Sequence, residues 1–256
     1  MKHVLRKIDL AQRRLRYRIA SIPWAPWYPA VLETKSFKDK RIIIIGPAET
    51  VLDDLSGSVV DDYDVVVRLN NGITLAETRP EILGKRTDLL IHNLRETGAR
   101  SAGSIPGAYL NAKNVGLLVF PHWHSSRQRK MFRAKETALK NEHGPEVKVL
   151  PPSIISGLKR ALDDRSPTIG ISACVFFLSS QAAEVAIHGF TFFETAYAPS
   201  YNPMVQSAED AKKWVHQLGA HDPMTEKAFL QACLSRTEVK RVTLGGNVRK
   251  FLYAEA

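Results

Sequence analysis

His221 stands directly before Asp222-Pro223, and an Asp followed by Pro is the pattern of a helix start, with Asp as N-cap and Pro at the first helical position. The positive end of the helix dipole disfavours a protonated imidazole beside it. His221 is therefore expected to be neutral and able to take a proton from a hydroxyl. The plainer alternative is a surface histidine at a helix start. Asn70 and Asn93 each follow an apolar run, and their amides can both donate to and accept from a nucleotide or a sugar. Thr168-Ile-Gly170, with Ser172 two residues on, offers hydroxyls and backbone N–H groups to a phosphate at a helix N-terminus. Plain N-capping by Thr168 is compatible with that use.

Other chemistries lack their residues. The first apolar run ends in Gly46-Pro-Ala-Glu49, without the Gly-x-Gly-x-x-Gly that lets a pyrophosphate approach a helix, so dinucleotide cofactors are disfavoured. There is no phosphate-binding Gly-x-x-x-x-Gly-Lys-Ser/Thr and no Gly-x-Ser-x-Gly nucleophile turn. His122-Trp-His124 could place two imidazoles on one face of a strand, but no acidic or cysteine partner lies near in sequence, and contacts in a loop or cleft are expected instead. Asp62-Tyr-Asp64 has the spacing of a metal-holding carboxylate pair. It precedes the apolar run Val65–Leu69, however, so Asp61, Asp62 and Asp64 are expected to form a turn and cap at the amino end of a strand. No metal and no cofactor are expected.

The elements that position these residues alternate. Arg41–Ile45 is an uninterrupted apolar run closed by Gly46, as in a central parallel strand. Further strands are expected over residues 64–69, 88–92, 115–120, 147–150, 184–189 and 239–244. Helical patterns cover 127–140, 170–182, 208–218 and 223–234, and 151–167 reads as a connection around a short helix. Strands separated by helices argue for an α/β, Rossmann-like fold, a mostly parallel sheet with helices on both faces. In such sheets ligands sit beyond the carboxyl ends of the strands, at residues 46–49, 70–71, 92–93, 121–124 and 190–201.

The 256 residues divide into a basic amphipathic N-terminal extension over 1–36 and one domain over 37–256. The 36 Lys and Arg against 26 Asp and Glu leave a net charge of +10, which implies an anionic partner: a nucleic acid, a membrane surface or an acidic substrate. No zinc-finger, helix-turn-helix or RNA-binding pattern supports a nucleic-acid-binding protein, and no nucleic acid is expected. In the extension, Lys2, Arg6, Lys7, Arg13, Arg14, Arg16 and Arg18 interleave with apolar residues ahead of Trp24 and Trp27. Such a helix could lie on an anionic membrane, or simply pack on the domain. Cys174 and Cys233 make no disulfide framework, and no stretch approaches the length of a membrane span. The expectation is a cytoplasmic protein, peripheral at the inner face of the membrane if the extension binds lipid.

Three separated segments resemble the sialyltransferase family. Ile42-Ile-Ile-Ile-Gly46, Asp61-Asp-Tyr-Asp-Val-Val-Val-Arg68-Leu-Asn70 and Gly84-Lys-Arg-Thr87 are similar to its large motif. Pro167-Thr-Ile-Gly170 with Glu184-Val-Ala-Ile-His-Gly189-Phe190 is similar to the small motif, and His221-Asp-Pro-Met-Thr-Glu226 to the very short His-x-x-x-x-Glu motif. All three occur in the family's order. The resemblance implies a metal-independent, bacterial-type glycosyltransferase that moves sialic acid from a CMP-sugar donor to a hydroxyl of a glycan or glycolipid, inverting the anomeric centre with His221 as base. The expected substrate-binding residues are Gly46, Pro47, Asn70, Asn93, Thr168, Gly170, Ser172, Gly189 and Tyr201. Pro47 stands where the family has Asn, and Tyr201 near where its third motif has His. Those departures leave open a CMP-Kdo-dependent transferase, for which a retaining course is an alternative, or a degenerate pseudo-enzyme.

Overall fold

The computed structural model describes residues 30–254 apart from Ala99, His124 and Leu218. The basic amphipathic segment and His124 thus lie outside the described residues, except for the last part of the extension. That part is tied to the sheet: Leu32 is buried, its N–H donates to the Val149 carbonyl at 2.9 Å, and the Val149 N–H donates to Ala30.

Seven strands form one sheet: β1 (Arg41–Ile45), β2 (Val65–Leu69), β3 (Leu89–Ile91), β4 (Leu117–Phe120), β5 (Glu146–Val149), β6 (Glu184–His188) and β7 (Arg241–Leu244). Each overlaps a stretch where a strand is expected. The spatial order is β5-β4-β3-β2-β1-β6-β7, and every pairing is parallel. The chain steps outward from β1 to β5, crosses back to lay β6 on the other side of β1, and ends on β7. The order therefore reverses at β1, which makes the crevice beyond β1 and β6 the place for a ligand.

Alternation along β1 shows why the sheet is covered on both faces. Ile42 and Ile44 enter one cluster with Val67, Val185 and Phe176, while Ile43 and Ile45 enter another with Val51, Val66 and Leu75. Short helices follow the early strands. The longer ones are α1 (Ser126–Asn141), α2 (Pro152–Ala161), α3 (Ile169–Leu178), α4 (Ala208–His216), α5 (Pro223–Leu234) and α6 (Gly246–Tyr253). From Ile171 to Leu178 every residue of α3 is buried, so the body of this helix is anchored in the core while its half-buried first turn faces the cleft.

The carboxylates at the amino end of the sheet do structural work. Asp64 accepts from the Arg41 N–H at 2.8 Å, Asp62 pairs with the Arg41 guanidinium at 2.8 Å, and Asp61 accepts from the N–H groups of Lys85 and Arg86 at 3.0 Å. Arg68 is 1% exposed and donates to the carbonyls of Leu83, Gly84 and Arg86 and to the Thr87 hydroxyl. The Asp-rich turn, which is largely exposed, and Gly84–Thr87 thus form one brace around the buried Arg68, away from the cleft. Cys174 and Cys233 are buried free thiols, and burial pushes Cys233 up to about 12.

Candidate active site

Two glycines close the crevice at the strand reversal. The Gly46 N–H donates to the His188 carbonyl at 2.7 Å, and an added Cβ on Gly46 would sit 2.3 Å from the Gly189 carbonyl oxygen. The converse Cβ on Gly189 would sit 2.5 Å from the Gly46 oxygen, and Gly189 has φ +73. The backbones pass too closely for any side chain. Beyond them the two loops pair: Ala48 N–H to Gly189 O at 3.1 Å, Glu49 N–H to Ala196 O at 3.0 Å, and Ala198 N–H to Pro47 O at 2.8 Å. This pairing carries Tyr197 and Tyr201 to the cleft wall. Their rings meet edge to face at 5.1 Å, and burial pushes the Tyr201 hydroxyl up to about 12 and Tyr197 further up. Both phenols therefore stay protonated and can donate.

Asn70 closes β2 in the left-handed region, φ +49, which Asn tolerates better than bulkier residues. Its Oδ1 accepts from the Asn93 N–H at 3.0 Å, and its amide, near the Tyr201 hydroxyl, opposes the rise that burial gives that phenol. Asn93 Oδ1 accepts in turn from the Arg95 N–H at 2.8 Å. The asparagines after β2 and β3 are therefore one network, presented at the same wall as Tyr201.

The third wall joins α3 to α5. Glu226 is buried, and its carboxylate accepts from the Thr168 N–H at 2.7 Å and from the Thr168 hydroxyl at 2.6 Å. Burial pushes this acid up to about 8. Thr168 Oγ1 also caps α3 by accepting from the Ile171 N–H at 3.3 Å. His221 Nδ1 lies 2.7 Å from the Ser166 carbonyl, an acceptor only, so Nδ1 carries the proton and Nε2 keeps its lone pair. Burial, and then the nearby Arg100 and Arg95, hold the imidazole below the ordinary histidine value, while the Ser166 bond opposes them. His221 is consequently neutral near pH 7.

These walls enclose a cleft of about 380 Å³, within the usual range for small-molecule sites. Of the expected residues, Pro47, Asn70, Asn93, Thr168, Gly170, Gly189, Tyr201 and His221 line it. Two do not. Ser172 is fully buried, and its hydroxyl donates to the Thr168 carbonyl at 2.8 Å, so it is spent inside the helix and unavailable to a phosphate. Gly46 serves by its closeness to Gly189 and lies behind the lining. His122 joins the lining, as the cleft contact expected of it. Sequence reasoning missed Arg95, Arg100, Tyr197 and the clamp made by Glu226. Two had a signal: Glu226 by its place in the His221–Glu226 segment, and Tyr197 by falling within residues 190–201 beyond a strand end. Among the described residues no group of three His, Cys, Asp or Glu could hold a metal ion.

No family model matches the chain. A human CMP-N-acetylneuraminate-beta-1,4-galactoside alpha-2,3-sialyltransferase is 26% identical over 235 residues, covering 82% of this chain and 59% of that protein. The mouse protein of the same name is 26% identical over 231 residues, covering 80% and 58%. Among solved structures, a mammalian sialyltransferase in complex with Gal-beta-1-3GalNAc-ortho-nitrophenol superposes with a TM-score of 0.52 at 15% identity, covering 94% of this chain and 85% of that one. The sialyltransferase CstII from Campylobacter jejuni, in complex with the substrate analogue CMP-3FNeuAc, gives 0.53 at 14% identity, covering 84% and 85%. The chain resembles the sialyltransferases in sequence and in fold. It spans about 59% of the length of the human relative. The sialyltransferase-like sheet places the three motif segments in two groups, the brace behind β2 and the walls around the cleft.

Proposed function

We propose that the chain is a CMP-sugar-dependent glycosyltransferase that moves sialic acid from CMP to a hydroxyl of a glycan acceptor. One observation carries this reading beyond the resemblance. His221 sits on a cleft wall with Nδ1 bonded to Ser166 and Nε2 unprotonated, the state a general base needs. In the reaction, Nε2 takes the proton from the acceptor hydroxyl as its oxygen bonds to the anomeric carbon. The bond from that carbon to the CMP phosphate oxygen breaks, and CMP departs with the electron pair. A single displacement of this kind inverts the anomeric centre. Protonated Tyr197 and Tyr201 supply donors toward the departing phosphate, and the Asn70–Asn93 network suits the nucleotide. The reading needs no metal, because neutral donors and arginines can hold the single phosphate. The galactoside acceptors in the names of the curated relatives make a terminal galactose the first acceptor to try.

The extension over 1–36 is proposed to hold the enzyme at an anionic membrane, near a lipid-linked acceptor. Among the described residues no helix is long and apolar enough to cross a membrane. Salt-sensitive sedimentation with anionic vesicles, lost on deleting the extension, is the expected result.

The experiment that tests the activity is a thermal-shift panel of CMP, CMP-sialic acid, CMP-Kdo, UDP-sugars and GDP-sugars in EDTA. CMP and CMP-sialic acid are expected to raise the transition by mass action. Stabilisation by UDP- or GDP-sugars alone, and only with manganese, overturns the reading.

A further inference from the structure

The cleft is lined by three arginines, Arg95, Arg100 and Arg127, against one carboxylate, Glu226. That carboxylate is turned inward onto Thr168 and held near neutrality by burial, so it offsets little of the positive charge. Arg100 is committed to structure. It lies over the Trp214 ring at 4.4 Å and donates to the Trp214 carbonyl at 3.0 Å and to Gln217 at 2.8 Å, pinning the loop after β3 to α4. Arg95 is different. Its guanidinium makes no ion pair and no hydrogen bond among the described residues, yet the backbone beneath it is strongly constrained.

Leu94 is buried in the left-handed region at φ +57, a conformation costly for a bulky side chain. Its N–H donates to His92 Nδ1 at 3.0 Å, and the Arg95 N–H donates to Asn93 Oδ1, whose own N–H is held by Asn70. Four residues in a row are thus fixed by hydrogen bonds so that an uncommitted arginine stands at the cleft beside the nucleotide network. On the far side, Glu96 pairs with Lys135 and accepts from the Ile105 N–H at 3.0 Å, which removes the adjacent acid as a partner for Arg95.

Resting on the proposed function, we infer that Arg95 is the residue that recognises the carboxylate of the acidic donor sugar, distinguishing the full donor from CMP alone. A planar guanidinium matches a carboxylate with two parallel N–H···O bonds, and such charge-assisted pairs are stronger than neutral ones. The donor carries two anionic groups. The phosphate can be met by the tyrosines and the N-terminus of α3, whereas the carboxylate needs a second locus. Of the two lining arginines without a side-chain partner among the described residues, Arg95 and Arg127, Arg95 is the one next to Asn93 and held by the Asn70–Asn93 network.

The test is calorimetric titration of the full chain, wild type and Arg95→Gln, with CMP and with the non-transferable analogue CMP-3FNeuAc. Arg95 is exposed and has no side-chain hydrogen bond or ion pair among the described residues, so the variant is expected to keep the wild-type thermal transition. The analogue is expected to lose roughly 10-fold in affinity while CMP changes by less than about 3-fold, a 10-fold loss corresponding to about 1.4 kcal/mol. Arg127→Gln, removing another cleft-lining cation, is expected to leave the selectivity for the analogue over CMP intact. Equal losses for CMP and the analogue in Arg95→Gln assign Arg95 to the phosphate and overturn the inference. The same selective loss in Arg127→Gln overturns it in favour of general electrostatic attraction. If wild type binds both ligands and Arg95→Gln binds them unchanged, the inference alone fails. If wild type binds neither, the proposed function fails with it.

Discussion

Glu226 holds Thr168 by two hydrogen bonds, 2.7 Å from its backbone N–H and 2.6 Å from its hydroxyl, across 58 positions of sequence. The pair joins the first turn of α5 to the N-cap of α3. It therefore sets His221, five residues before Glu226, against the segment that carries Ser166. The carboxylate is a positioning group: it is buried at the cleft wall, and both of its oxygens are occupied by Thr168.

This clamp has a pH signature. Glu226 is pushed up to about 8 in the fold from an ordinary value of 4.5, so the folded state holds a proton that the unfolded chain releases. Its stabilising effect is fully present below about pH 4.5 and is lost as pH rises through about 8. Glu226→Gln does not titrate. The melting temperature of wild type relative to Glu226→Gln is expected to fall steadily between those limits in thermal scans at constant ionic strength. A difference that stays flat across the window contradicts the buried-acid assignment. Glu226→Ala, which leaves the Thr168 N–H unpaired, is expected to cost about 2–4 kcal/mol.

His221→Asn removes the proton acceptor while keeping polarity beside the Asp222 cap. Turnover is expected to fall roughly 10²–10⁴-fold, with CMP affinity nearly unchanged. Because burial lowers the imidazole pKa, the wild-type rate should fall on the acid side only below the ordinary histidine range. That limb should be missing from the residual activity of the variant. Near-native turnover in a folded His221→Asn would place the base elsewhere.

Gly46→Ala forces a methyl group to within 2.3 Å of the Gly189 carbonyl oxygen, a backbone atom that cannot rotate away. Gly189→Ala meets Gly46 O at 2.5 Å and adds the strain of φ +73. Each is expected to cost about 2–4 kcal/mol in denaturant unfolding, more than an ordinary surface change. Wild-type stability in either variant would show that β1 and β6 can separate at their carboxyl ends.

Asn70→Ala and Arg68→Ala are expected to fail differently. Asn70→Ala loses the acceptor for the Asn93 N–H and a residue suited to φ +49, at about 1–2 kcal/mol, and lowers CMP affinity roughly 10-fold or more. Arg68→Ala strips donors from the buried carbonyls of Leu83, Gly84 and Arg86, so stability collapses before any ligand effect can be read. Unchanged CMP affinity in folded Asn70→Ala removes the nucleotide role of this network.

The strands, the parallel sheet and the helix start at Asp222-Pro223 were legible in the residues themselves. Their signals are local: an apolar run closed by Gly46, a cap and a proline within one turn, and carboxylates placed before β2 and not after it. The same local reading misassigned Ser172, because a hydroxyl near a helix start looks alike whether it faces a ligand or its own i−4 carbonyl. Strand order alone brings Gly46 against Gly189, and the contact of Asn71 with the Tyr201 carbonyl spans 130 positions. The inward turn of Glu226 and the uncommitted guanidinium of Arg95 depend likewise on which loops the sheet reversal sets side by side. Periodicity and caps act over one turn or one strand. A cleft is built from contacts between distant segments, and their proximity is a property of the packed chain.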